Sequence, residues 1–100
     1  MIARIAKFEG GDADEMRRRN NEMLVGGGAT ELPPGILRVM VLMNEGDGTW
    51  AVISFFEDAE TAAAAEQRFE QMGHEIPETV RGKRVSLESF EVAFDVEMVR

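Results

Sequence analysis

The only histidine of this 100-residue chain stands in MGHEIPETVRGKR, residues 72 to 84, and the chain has neither cysteine nor tyrosine. Imidazole changes charge between about pH 5 and 8, so His74 is the side chain best suited to move a proton near neutral pH. Its place after Gly73, the expected stop of a helix, also suits a plainer role, in which it would satisfy orphan carbonyls and complement the negative helix pole. Both roles stay open. A single imidazole among scattered carboxylates lacks the ligand spacing of a zinc site. No nucleophile elbow, phosphate loop or metal motif occurs either, so no metal is expected. An enzyme of this composition would have to work by holding a reactive small molecule in a dry cavity.

Other residues break the pattern of the segments around them. Asn20 falls in the apolar stripe of a helix, where a carboxamide must find hydrogen-bond partners or lose roughly 1–3 kcal/mol. It either bonds loop backbone or lines a polar pocket, and is the second candidate for chemistry. Arg38 is a lone cation in an apolar strand, either an edge or interface residue paired with a carboxylate or a clamp for a ligand anion. Arg4 carries the same ambiguity more weakly. Trp50, the single tryptophan, opens a strand and supplies core area or a wall on which a flat ligand stacks. The methionines suit core filling and also an adaptable cavity. Arg81, Lys83 and Arg84 read as a solvated loop or as ion-pair partners across a dimer.

These residues must be positioned by a small set of elements. IARIAKF, residues 2 to 8, reads as a strand. Asp12 caps a helix that runs to about Val25, with Glu15 completing a capping box and Ala13, Met16, Met23 and Leu24 forming its apolar stripe. The triple glycine 26 to 28 ends it. ILRVMVLM (36 to 43) and TWAVISFF (49 to 56), joined by NEGDG, form a hairpin apolar on both faces. Asp58 caps a second helix of roughly 59 to 72, whose inner side is Ala62, Ala65, Phe69 and Met72. A last strand is expected from about Arg84 to Met98, where Phe90, Val92, Phe94, Val96 and Met98 alternate with polar or small residues.

Composition narrows the function classes. Eleven basic against 19 acidic side chains give a net charge of -8, which repels nucleic-acid phosphates and anionic membrane surfaces. No run reaches the roughly 20 apolar residues of a membrane span, and charges at Arg4 and Lys7 interrupt the start of the chain where a secretory signal would be apolar. With no cysteine, a cytoplasmic protein is expected. Length fits one domain over residues 1–100.

The order strand, helix, strand, strand, helix, strand is the split βαβ pattern of a ferredoxin-like α+β sandwich. Both helices would cover one sheet face, leaving the other apolar and bare, and the last strand would overhang its neighbours. A homodimer stacked through the open sheet face, with the C-terminal strands exchanged, answers both problems.

On MIARI, PPGILRVMVL, GTWAVISFFEDAETAAAA and RVSLESFEV, the chain resembles the dimeric α/β barrel superfamily, within it the small antibiotic-biosynthesis monooxygenase-like proteins. The resemblance implies a βαββαβ subunit and cofactor-free oxidation of a flat aromatic or quinone-type molecule; the alternative is a non-catalytic small-molecule-binding or assembly module of the same fold. His74 and Asn20 would then be the catalytic candidates, with Trp50 and Arg38 contacting a small aromatic ligand. Haem-degrading members of the superfamily use an asparagine in the first strand with a tryptophan and a histidine on the second helix. IARIAKF has no asparagine, and the second helix is expected to hold neither of the others, so that activity is not carried over.

Overall fold

Ile2–Glu9 forms the first strand, β1, and Ala13–Val25 the first helix, α1; the hairpin strands β2 and β3 are Ile36–Asn44 and Thr49–Phe56. They are followed by α2 (Ala59–Glu75), a single turn α3 (Glu78–Arg81) and β4 (Lys83–Glu91). The computed structural model describes residues 1–25 and 32–99. The glycines at 26 to 28, expected to end α1, lie outside those residues, as does the side chain of Leu24. The four strands form one antiparallel sheet in the order β2-β3-β1-β4, with both the hairpin and the crossover connections of a ferredoxin-like α+β sandwich.

Register decides what each face presents, because paired residues on neighbouring strands point the same way. Arg4, Ala6 and Phe8 pair with Ser54, Val52 and Trp50, and this set faces the helices. Phe56 at the end of β3 is fully buried there against Ala62 and Ala65 of α2, with Ile2, Ile36 and Phe69 around it. Ala3, Ile5, Met40, Leu42, Ala51, Ile53, Phe55 and Phe90 fall on the opposite parity. No described element covers that face, and Leu42 and Phe90 are about half exposed (47% and 50%).

Local signals explain the helix starts. Asp12 Oδ1 accepts from the Glu15 N–H at 3.1 Å. The reciprocal half of the expected capping box does not form, because the Asp12 N–H donates to Val80 O at 2.9 Å and the Glu15 carboxylate turns to Arg18 and Arg19. Its hydrogen bond with Arg18 holds the Glu15 carboxyl below the usual range. At α2, Asp58 accepts from the Thr61 N–H at 2.8 Å, and that backbone bond lowers its pKa. A depressed carboxylate contributes stability above the unfolded value, near 4, and the contribution disappears as pH falls through the lower folded value. Asp58→Ala should therefore lower the melting temperature by more at pH 7 than near pH 2, as measured by paired thermal melts.

Two boundaries differ from expectation. Helix α2 continues through Gly73 to Glu75, so His74 sits in its last turn rather than after its end. Glycine weakens a helix without forbidding it, whereas Pro77 forces the residue before it out of helical geometry. Ile76 accordingly adopts an extended conformation (φ -105°, ψ 122°) and is where α2 stops. Strand β4 ends at Glu91, short of Met98, because its neighbour β1 begins at Ile2, the partner of Glu91. The Val92 N–H still reaches Met1 O at 2.8 Å, but beyond it the described chain finds no ladder. Phe94 and Met98 are 83% and 77% exposed.

Candidate functional site

A cavity of about 500 Å³ lies between the helix-facing side of the sheet and the two long helices. One wall is a cross-strand aromatic pair: Phe8 and Trp50 stack with ring centroids 4.3 Å apart and planes 15° from parallel. The pair follows from register, since Phe8 on β1 is the partner of Trp50 on β3. The indole N–H, which would otherwise be stranded at a strand end, donates to Arg81 O at 2.8 Å. Thus one hydrogen bond ties the aromatic wall to the turn that precedes β4.

Farther along the same strands, Arg4 is buried, with only 4% of its surface exposed. A buried guanidinium needs a counter-charge and acceptors for its N–H groups. Glu66 of α2 supplies both: it accepts from Arg4 Nε and, at 3.3 Å, from Nη2. The guanidinium also lies 4.2 Å from the centroid of the Phe69 ring, a cation–π contact. Beside it in the register is Ser54, whose fully buried Oγ has no hydrogen-bond partner among the described residues. Val39, Val41, Val52 and the methionines Met16, Met23 and Met72 complete an apolar lining.

Three of the four residues singled out in the sequence meet here. Asn20 from α1, Trp50 from β3 and His74 from the end of α2 all line the cavity. Asn20 is half-buried and His74 exposed, and among the described residues neither side chain has a hydrogen-bond partner. The loop-bonding reading of Asn20 and the capping reading of His74 therefore find no partner atom among those residues. Arg38 does not join them. It pairs with Phe55 and points to the uncovered face, next to a β2 bulge that leaves Leu37 without a register partner.

Sequence reasoning undervalued Phe8, Arg4 and Arg81. Phe8 shares the parity of Arg4, a period-two signal already visible in IARIAKF, but which parity faces the helices is set by register. Arg81 looked like one of a loop cluster with Lys83 and Arg84; it ends α3 and lines the cavity, whereas Arg84 pairs with Glu70 at 3.3 Å. A second hollow of about 680 Å³, where α1 begins beside the β2–β3 turn, is lined by Asp12, Asp14, Asn44 and Glu45. It is acidic and shares only Trp50 of the aromatic pair. Among the described residues no group of three or more histidine, aspartate and glutamate side chains is arranged to hold a metal ion. No described helix is long and apolar enough to cross a membrane.

No family model and no curated protein matches the chain. Solved structures do. The haem-degrader MhuD of Mycobacterium tuberculosis, solved with two haems bound in its active site, superposes with a TM-score of 0.65 at 22% identity, over 97% of this chain and 100% of that one. SnoaB, a cofactor-independent oxygenase from Streptomyces nogalater, gives a TM-score of 0.61 at 15% identity over 97% of each chain. A presumptive antibiotic biosynthesis monooxygenase from Deinococcus radiodurans matches over the full length of both chains at 11% identity and a TM-score of 0.53. The chain shares the fold of these proteins. Within that fold, His74 does lie on the second helix, which corrects the expectation that this helix holds no histidine. The rest of the haem-degrading arrangement is still missing: Arg4, Ala6 and Phe8 are what β1 turns to the cavity, and α2 has no tryptophan. The residues present do not fit haem degradation.

Proposed function

We propose that the protein binds a flat aromatic or quinone-type molecule in the helix-side cavity and oxidises it without a cofactor, as two copies joined through the uncovered sheet face and the C-terminal segment. The observation that carries this reading is the meeting, in one cavity, of a stacked aromatic wall with Asn20 and His74, two polar side chains that have no hydrogen-bond partner among the described residues. Similarity of fold to a cofactor-independent oxygenase supports the reaction class.

An anthrone-type ring would lie against the Phe8–Trp50 wall. His74 would take a proton from the ring methylene, and the Asn20 amide would donate to the oxygen on which negative charge accumulates. Dioxygen then accepts the electrons of that carbon. One oxygen atom becomes the new carbonyl of the quinone and the other leaves as water with the two methylene hydrogens, so the step balances with dioxygen as the only co-reactant.

Oxygen uptake with anthrone-type substrates tests this directly. Turnover should fall on the order of 100-fold in His74→Ala and in Asn20→Ala, the usual weight of a positioned acid–base or oxyanion group. Arg38→Ala, on the other face, should leave it unchanged. Equal turnover in the wild type and in the Asn20, Trp50 and His74 alanine variants would remove the site assignment. Binding with no oxygen uptake would leave the non-catalytic module as the function. Haemin is the second ligand to titrate, because His74 offers an imidazole to the cavity. A shifted Soret band that His74→Ala abolishes would turn the reading from an aromatic substrate to a porphyrin.

A further inference from the structure

Most arginines among the described residues are neutralised by carboxylates. Arg4, Arg17, Arg18, Arg19, Arg68 and Arg84 each form an ion pair. Among the described residues that leaves Arg38, on the uncovered face, and Arg81, on the cavity wall. Arg81 is half-buried; its Nη1 reaches only Gly82 O, at 3.3 Å, and its buried Nε has no partner among the described residues. Glu78, one turn earlier and also on the cavity wall, forms no ion pair with it.

The turn that carries Arg81 is rigidly held. Its carbonyl takes the Trp50 indole N–H at 2.8 Å, and Val80 O takes the Asp12 N–H at 2.9 Å. Gly82 has a φ of +78°, and a Cβ there would stand 2.4 Å from Glu9 O, so the turn packs backbone to backbone against the end of β1. A guanidinium that is carried on a fixed turn, short of partners and in the same cavity as an aromatic wall is suited to a planar anion, which it can take through paired N–H donors.

We propose that Arg81 is the specificity residue of the cavity and that its ligand is an aromatic carboxylate, with the ring against Trp50 and the carboxylate on the Arg81 guanidinium. This deepens the reading of the cavity as a site for flat aromatic molecules and rests on it. Asn20 and His74 act on the ring; Arg81 sets which ring is admitted. Because the Arg81 carbonyl accepts from the Trp50 indole, the indole and the backbone that carries the guanidinium are tied together.

Trp50 is the chain's only tryptophan, so quenching of its fluorescence reports on its own surroundings alone. The probes are an anthraquinone carboxylate and its neutral carboxamide, titrated into the intact protein. The carboxylate should bind about tenfold more tightly than the carboxamide, the increment of a charge-assisted hydrogen-bonded pair. Rising salt should shrink that preference. Arg81→Gln should erase it while leaving carboxamide affinity unchanged, and Arg81→Lys should retain part of it. Equal affinities in the wild type, or a preference that survives in Arg81→Gln, would overturn the role of Arg81 and spare the aromatic site. The wild-type comparison needs no variant to fold. Quenching by neither probe would overturn both.

Discussion

The double substitution Leu42→Glu, Phe90→Glu is expected to leave folded single subunits in place of the proposed dimer. Each side chain is about half exposed in the isolated subunit, so a carboxylate there costs the subunit little. Pressed between two sheets, the same carboxylate would lose its hydration, a penalty of several kcal/mol per group. A two-fold interface uses each residue twice, so four buried charges would result. The dissociation constant should rise by at least about a thousandfold, which at that arithmetic needs only about 4 kcal/mol. Sedimentation at micromolar concentration checks this. A wild-type protein that is already monomeric there, or a double variant that remains dimeric, would refute the face-to-face assembly.

The second large effect is expected inside the subunit. Phe56→Ala should cost about 3–5 kcal/mol, the range for removing a buried phenyl ring and leaving a cavity. Phe56 is completely buried, meets Phe69 edge-on with centroids 6.1 Å apart, and packs on Ala62 and Ala65. Small residues on α2 let the helix approach the sheet at this point, and their side chains are too short to fill the space. Since a domain of this size is stable by only about 5–15 kcal/mol in all, the variant should lose a large share of its stability. Urea unfolding should show a lower midpoint with an unchanged slope. A loss under about 1 kcal/mol would mean that the core beneath α2 is not closed as described.

Much of this architecture was legible as local pattern. The apolar run TWAVISFF and the capping aspartates Asp12 and Asp58 each depend on a few adjacent residues, and the structure forms elements at these places. Where a boundary depended on a competitor, the local signal misled. Gly73 looks like a stop but yields to Pro77, and the alternation through Met98 looks like strand but has no neighbour beyond Ile2. The candidate site was legible in part. Asn20 stood out because it breaks an apolar stripe, and Trp50 because it is the chain's single tryptophan. Arg81 did not, because a cation in a basic run looks solvated until its surroundings are known.

Periodicity and capping are short-range, so the chain alone determined the order of strands and helices, the acidic charge and the presence of more apolar strand surface than one layer of helices can cover. Register and crossover are long-range: they put Phe8 beside Trp50, Ser54 beside Arg4, and Arg38 on the face away from the cavity. Only the folded chain could decide which polar groups find partners, because a guanidinium is neutralised or left wanting by residues distant in sequence. Glu66 satisfies Arg4 across 62 positions, and no described carboxylate does the same for Arg81.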